Sequence, residues 1–284
     1  MPFFSVIIPT FNCGHFLSSA LQSLANQSFR DFEVVLIDGL STDNTKEVAD
    51  RFIKQLPALT WISEKDNGIY DAMNKGLRHI RGEWIYILGS DDKVYDENVF
   101  RKVHEFISQH PVDVVYGNVV TKAFGGGVYA GKFDNVKLYN QNICHQALFF
   151  KRSVFDLIGS FSNKYRILAD WDHNLKWFLS DRLKHEYFDI IVADYAHEGA
   201  SSGKLDKVFI RDRDWNYAMS GRRTLAFKTR LWHVLKEYKG CLRDRNFSRL
   251  IRKMSGTPKI LFRFCRKCRR YYNYKECIKD CSLE

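Results

Sequence analysis

Over the first hundred residues, short aliphatic or β-branched runs alternate with amphipathic stretches, the rhythm of βαβ units laid on a parallel sheet. Phe4–Pro9 (FSVIIP) predicts a first buried strand and His15–Ala25 the helix that follows it. Phe32–Asp38 (FEVVLID) predicts the second strand, and Asp43–Gln55 its helix, with Thr42 or Asp43 placed to cap it. A weaker strand, Thr60–Ser63, precedes a helix over Ile69–Ile80, and Trp84–Leu88 (WIYIL) predicts a central strand running into Gly89-Ser90-Asp91-Asp92. Downstream the pattern loosens into a mixed half. It predicts a helix at Asn98–Ser108, a strand at Val112–Tyr116, and a Gly-rich hairpin over Thr121–Lys132. Ala147–Phe150 then reads as a strand, and Ser153–Ile158 and Asp170–Leu179 as helices. Cationic helices are predicted over Leu225–Tyr238 and Phe247–Tyr272. The whole reads as a doubly wound, mostly parallel α/β sheet with a basic helical C-terminal extension.

Charge divides the chain. Its formal net charge is +11, yet from Arg222 to Glu284 there are 19 Lys/Arg against 5 Asp/Glu, while the preceding 221 residues hold 25 against 28. The shift places a boundary near residue 220. It separates a core domain over 1–220, with halves 1–110 and 111–220, from an extension over 221–284. The core requires no polyanionic partner, and the extension carries no nucleic-acid reading motif, so an anionic membrane surface is the expected partner of the basic helices. Met1 leads directly into a strand without a basic leader, and no apolar run reaches the length of a membrane span. The expected location is cytoplasmic, peripheral on the inner face of the cytoplasmic membrane. Seven cysteines, with Cys13 and Cys144 far from the rest, suit reduced thiols better than a disulfide framework. Cys265, Cys268, Cys277 and Cys281 have a spacing that permits a zinc site, although free thiols on a basic helix fit the Arg/Tyr-rich sequence between them better.

In an open parallel sheet, ligands bind beyond the carboxyl ends of the strands where strand order reverses. The polar residues at those ends are Thr10, Phe11 and Asn12, then Asp38, then Glu64 to Asp66, then Asp91 and Asp92. No G-x-G-x-x-G and no P-loop follows the first strand, which disfavours a dinucleotide or a Walker-type phosphate cradle. Adjacent aspartates repel unless a cation sits between them and an anionic ligand, and hard oxygen ligands of this kind suit Mn²⁺ or Mg²⁺. Read more plainly, Ser90-Asp91-Asp92 caps the next helix and Asp38-Gly39 opens a turn.

Five segments sharpen the choice: S-V-I-I-P-T-F-N (Ser5 to Asn12), V-V-L-I-D-G-L-S-T-D-N-T (Val34 to Thr45), E-K-D-N-G-I-Y-D-A-M-N-K-G (Glu64 to Gly76), G-E-W-I-Y-I-L-G-S-D-D (Gly82 to Asp92) and A-D-W-D-H-N-L-K (Ala169 to Lys176). In order and spacing they resemble the inverting family-2 glycosyltransferases of the GT-A fold, over about residues 3 to 200, and especially the bacterial enzymes of colanic-acid, capsule and O-antigen assembly. The resemblance implies that Pro9, Thr10 and Phe11 surround a nucleotide base and that Asp38 accepts from the base edge. It also implies that Asp66, Lys75 and Ser90 lie along the nucleotide sugar. Asp91 and Asp92 would hold the diphosphate metal, with His197 completing its shell. The family pattern D-x-D-D has Gly89 where its first carboxylate stands. The catalytic base aligns with Asp170, Ala169 taking the place of the usual Glu. His145, Gln146, Trp171 and Asp172 are acceptor-side contacts, with Asp172 turned away from Asp170 along the helix. By the same resemblance the donor is a nucleotide sugar, UDP-linked by preference, and the acceptor a lipid-linked or oligosaccharide hydroxyl. A sugar nucleotidyltransferase, or a nucleotide-sugar- or lipid-binding scaffold with lapsed catalysis, remain the competing expectations, the latter because Gly89 and Ala169 replace acids.

Overall fold

The computed structural model describes residues 1–121, 126–129, 131–196, 206–265 and 270–273, the last part of it (262–265 and 270–273) by its backbone path alone. The chain forms two compact units. The first comprises Met1–His173 and the segment from Leu183 that carries the last sheet strand; the second comprises Asn174–Arg182 and the helices that follow.

In the first unit the chain runs β1 (Phe4–Thr10), α1 (Gly14–Ala25), β2 (Phe32–Asp38), α2 (Thr45–Asp50), β3 (Leu59–Ser63), α3 (Ile69–Gly76) and β4 (Trp84–Ile87). These four strands are mutually parallel, with Val6 opposite both Val34 and Tyr86. Both β1 and β2 are buried at every position, which is why their sequences read as continuous apolar runs instead of alternating ones. Side chains of β1 alternate between two covers: Val6 and Ile8 join Leu17, Leu21 and Leu24 of α1 in the main core, while Ile7 meets Gly76 of α3. The helices are shorter than the apolar pattern suggests. Past Asp50, Phe52 and Gln55 bond three residues back instead of four, and past Gly76 so do Arg78 and His79, so both helix ends tighten into turns.

The second half adds β5 (Lys93–Val94), α4 (Val99–Gln109), β6 (Val114–Thr121), β7 (Val128–Tyr129), α5 (Asn135–Asn140) and a single tight turn at His145–Ala147. It continues with β8 (Leu148–Lys151), α6 (Arg152–Ile158), α7 (Ala169–Phe178) and β9 (His185–Tyr195). The sheet order is β3-β2-β1-β4-β8-β6-β9-β5, with β7 on β6. The parallel half thus ends at β4, because β8 enters antiparallel to both β4 and β6. Strand order reverses between β1 and β4, so the carboxyl ends of these two strands, Thr10 and Gly89 to Asp92, flank one crevice. No strand is expected at β9, an eleven-residue strand, rich in aromatic and β-branched residues, whose pairing with β6 shifts register near Asn118.

The second unit contains α8 (Lys207–Ser220), α9 (Phe227–Arg243) and α10 (Phe247–Leu261), then β10 (Phe262–Cys265) paired antiparallel with β11 (Arg270–Asn273). Ala218, Val234, Ile260 and Leu261 form its apolar centre, with Trp215, Met219, Leu231 and Tyr238 packed around them. A helix running to Tyr272 is therefore not formed. The buried Arg230 guanidinium donates to the carbonyls of Ile260 and Leu261, a cation on the last orphan acceptors of α10, and the chain turns into β10. The compact division also precedes α8 instead of falling at residue 220. α8 carries only one net positive charge (Lys207, Arg211 and Arg213 against Asp212 and Asp214), so composition does not group Trp215, Ala218 and Met219 with the later helices.

Candidate active site

Two clusters of polar groups form at the crevice. One is the pocket around the ends of β1 to β3. Asp38 is buried and its carboxylate is filled from within: Oδ1 accepts from Ser41 Oγ at 2.5 Å and Thr10 Oγ1 at 3.4 Å, Oδ2 from Ser63 Oγ at 2.6 Å and Ser41 N at 3.0 Å. This side chain fixes the turn after β2. Asn12, at φ 47°, ties the ends of β1 and β2 together: its Oδ1 accepts from Thr42 N at 2.8 Å and its own N–H donates to Ser41 Oγ at 2.8 Å. Above this floor Phe11 stands 63% exposed, whereas Pro9 and Thr10 are buried. A Cβ at Gly39 would lie 2.5 Å from Asp66 Oδ2 and 3.3 Å from the Phe11 ring, so only glycine permits these two to approach each other. Asp66 Oδ1 accepts from Gly68 N at 2.8 Å, while Oδ2 has no donor among the described residues. Lys75 lies 3.3 Å from Glu64 and 3.9 Å from Asp71, and it donates to the Lys65 carbonyl; its charge is spent on the β3–α3 connection.

The second cluster joins the end of β4 to the start of α7. Asp92 is 1% exposed; Gln146 Nε2 donates to its Oδ2 at 2.6 Å and Ala196 N to its Oδ1 at 2.8 Å. Burial, and then the charge of Asp91, push its carboxyl up to about 6. Asp91 is partly exposed and is raised by burial as well. Gln146 is itself placed by the buried Tyr86 hydroxyl, which donates to its carbonyl at 3.0 Å. A Cβ at Gly89 would fall 2.2 Å from Asp92 Oδ2 and 3.0 Å from Asp91 Oδ1, so the absence of a side chain at Gly89 leaves the space that the two aspartates occupy. Ser90 bonds the Cys13 thiol at the start of α1.

Asp170, in the first turn of α7, is buried and held by three donors. Tyr70 Oη (2.9 Å) and Trp171 N (2.9 Å) donate to Oδ1, and Asn142 Nδ2 donates to Oδ2 at 2.8 Å. His145 Nδ1 lies 3.7 Å from the same Oδ2. The His145 Nε2 atom is buried and has no hydrogen-bond partner among the described residues. His145 also acts electrostatically on Asp91 and Asp92, and the Tyr195 phenol, pushed up to about 12 first by burial, feels Cys144, Asp92, Asp91 and Asp170 together. Asp91, Asp92 and Asp170, from two distant stretches of chain, therefore all act on Tyr195 and lie near His145. The Trp171 indole donates to the Leu138 carbonyl at 2.8 Å, and Asp172 is buried beside it in α7. His197 lies outside the described residues, as do Cys268, Cys277 and Cys281; of Cys265 only the backbone is described.

The motif reading missed Tyr70, Asn142 and Tyr195. Tyr70 was in view within D-N-G-I-Y-D, but nothing in spacing says that its hydroxyl meets a carboxylate a hundred residues later. The same helix supplies Asn74, whose side-chain amide pairs both ways with the Phe161 backbone at 2.9 Å. Much of that motif thus secures the segment leading into Asp170.

No group of three His, Cys, Asp or Glu able to hold a metal occurs among the described residues. The donor set still fits a divalent cation. Two adjacent carboxylates, both disfavoured as anions by burial, suit a hard ion that draws its other oxygens from a diphosphate and water.

Comparison with known proteins agrees with this geometry. Residues 5–162 match the family model described as glycosyl transferase family 2. Over 214 residues, 74% of this chain and 83% of the relative, the sequence is 41% identical to a "PGL/p-HBAD biosynthesis glycosyltransferase" of Mycobacterium bovis. It is 28% identical over 194 residues to the chondroitin synthase of Escherichia coli, covering 65% of this chain and 28% of that one. Among solved structures, S. aureus TarS 1-349 in complex with UDP-GlcNAc superimposes with a TM-score of 0.67 at 18% identity, covering 91% of this chain and 81% of that one. The mannosyltransferase PcManGT from Pyrobaculum calidifontis, in complex with GDP-Man and Mn2+, gives 0.55 at 20% identity, covering 92% and 72%. With a strand-end aspartate pair at the switch point, a clamped aspartate at the start of α7 and these relatives, the chain belongs to glycosyl transferase family 2 and has the GT-A fold.

Proposed function

We propose that this glycosyltransferase moves a sugar, with inversion at the anomeric carbon, from a nucleoside-diphosphate sugar to a hydroxyl of a lipid-linked glycan during cell-surface polysaccharide or glycolipid assembly. The carrying observation is that Asp91, Asp92 and Asp170, from two distant stretches of chain, come together near His145 and Tyr195. The base lies on Phe11 above Gly39, with Asp66 Oδ2 as the acceptor for its edge, while Asp38 holds the turn beneath. UDP is favoured because a neighbouring structure holds UDP-GlcNAc, although another holds GDP-Man. Asp91 and Asp92 would hold Mn²⁺ or Mg²⁺, which supplies neutralisation of the diphosphate charge. Asp170 is the base. Tyr70 and Trp171 N occupy Oδ1, leaving Oδ2, which accepts only from Asn142, to take the proton of the attacking hydroxyl. As the acceptor C–O bond forms, the bond from the anomeric carbon to the diphosphate breaks on the opposite face, so one base suffices and the configuration inverts. The acceptor class rests on the basic C-terminal helices and on a relative named for PGL/p-HBAD biosynthesis; the reaction takes place at the inner membrane face.

Thermal shift against UDP, GDP and dTDP with Mn²⁺ identifies the nucleotide, since a ligand bound only by the folded state raises its apparent stability. Turnover of the matching nucleotide sugar, with release of the nucleoside diphosphate and product anomer read by NMR, then tests the reaction. Release of inorganic diphosphate, retained configuration, or no turnover with any donor and Mn²⁺ overturns the proposal.

A further inference from the structure

The α9–α10 pair presents an outer surface whose chemistry does not match water. On α9, Arg230, His233, Val234, Glu237 and Cys241 face inward, the positions of one helical stripe. The opposite stripe carries Trp232 (55% exposed), Leu235 and Leu242 interleaved with exposed Lys228, Lys239 and Arg243. In α10, Arg249 and Ile260 point inward, and the outward stripe is Phe247 (60% exposed), Ile251 (68% exposed) and Met254, flanked by Arg252 and Lys259. The helices are antiparallel neighbours, since Arg230 near the start of α9 donates to the Ile260 carbonyl at the end of α10 while Glu237 farther along α9 meets Arg249 near the start of α10 at 2.6 Å. Acids are nearly absent: α10 contains none, and the one in α9, Glu237, is buried under Arg249 and Lys253. Lys228, Lys239, Arg245 and Arg252 have no carboxylate within ion-pair distance among the described residues.

Large exposed apolar side chains in a field of unpaired cations favour a surface that is apolar within and anionic at its rim. We infer that the outer face of α9 and α10 is a docking surface for anionic phospholipid, seating Trp232, Leu235, Phe247, Ile251 and Met254 at the headgroup boundary while Lys228, Lys239 and Arg252 meet the phosphates. The helices lie in the interface plane; no helix among the described residues is long and apolar enough to cross a membrane. The inference rests on the proposed lipid-linked acceptor for its purpose, but its test does not depend on turnover.

The test is sedimentation of the full chain with vesicles of phosphatidylcholine alone or of equal parts phosphatidylcholine and phosphatidylglycerol. The chain is expected to pellet with the anionic vesicles only, and binding is expected to weaken as salt rises. Trp232→Glu/Ile251→Glu removes apolar contact and Lys239→Glu/Arg252→Glu reverses the charge; each is expected to lower anionic-vesicle binding by about tenfold or more. Both pairs sit on exposed positions, and unchanged circular dichroism and thermal midpoint establish that folding is intact. Equal binding to neutral vesicles, or full anionic binding by both double variants, overturns the inference. So does a concentration-dependent dimer that Ile251→Glu dissolves, which assigns the face to a second copy. Donor hydrolysis measured on the same proteins separates the two readings. Vesicle binding without turnover of any donor overturns the transferase proposal alone, and turnover with no vesicle binding overturns the docking surface alone.

Discussion

At Asp170 the surrounding donors define what each substitution removes. Asp170→Asn keeps the size and most hydrogen bonds but no longer accepts a proton, so kcat is expected to fall by roughly a hundred- to ten-thousand-fold while metal-dependent nucleotide binding, read by thermal shift, persists. Full transfer by this variant would exclude Asp170 as the base. Tyr70→Phe removes one of the donors on Oδ1 and is expected to lower kcat more than it changes donor affinity, at about 1 kcal/mol of stability. Asp92 behaves differently. Its folded-state carboxyl sits near 6, above its ordinary value, so in the metal-free protein its ionisation is a penalty that is present above pH 6 and is relieved as pH falls toward 4. Asp92→Asn should therefore raise the metal-free thermal midpoint at pH 7.5, by no more than about 3 kcal/mol in stability, with the gain vanishing near pH 4 while Mn²⁺-dependent nucleotide binding is lost at every pH. A lower midpoint at pH 7.5 would show that the pair with Gln146 matters more than the buried charge. Restoring the family's acid through Gly89→Asp is expected to expel Asp92 from its pocket and weaken metal binding, which titration calorimetry with Mn²⁺ and nucleotide reads.

Among the elements, α3 is the one whose role changes most once packing is known. Lys75, which the motif places near phosphate, instead neutralises Glu64 and Asp71, while Tyr70 and Asn74 on the same helix reach the Phe161–Asp170 stretch. Asn74→Ala breaks a two-bond clamp on the Phe161 backbone and leaves its N–H and carbonyl without those partners. A loss of about 2 kcal/mol in urea unfolding is expected, with a fall in kcat although Asn74 does not touch Asp170. If stability falls and kcat does not, α3 anchors the segment without positioning the base. The β4 end shows the same division between motif and role: Tyr86, one of the apolar run, orients Gln146, and Gln146 sets Asp92.

For the molecule as a whole, the parallel half builds the crevice at the switch point and the antiparallel return of β8 brings the His145–Ala147 turn against the end of β4. Because the crevice belongs to the first unit, saturating nucleoside diphosphate with Mn²⁺ at about a hundredfold above its dissociation constant is expected to stabilise that unit by about 2.7 kcal/mol, and Asp91→Ala to abolish the shift. An undiminished shift in Asp91→Ala would place the nucleotide independently of the aspartate pair. The second unit has a different source of stability: Arg249 pairs at 2.6 Å with Glu237 and at 3.2 Å with Asp212, all buried, around the apolar centre at Val234 and Ile260.

What the residues determined alone is what rests on local periodicity and on short segments held in one order. Strands β1, β2 and β4 are apolar because helices cover both faces, and the aspartate pair is visible because it directly follows a strand. The family follows from those segments, as does the alignment that singles out Asp170. The tertiary structure alone decided that Asp38 is satisfied internally while Asp66 is left open beside Phe11, and that Gly89 yields its space to Asp92. It also decided that Tyr70, Asn142 and His145 gather at Asp170, that β9 completes the sheet, and that α8 joins the basic helices. Each of these depends on contacts between positions tens to a hundred residues apart, and such contacts leave no period in the chain that makes them.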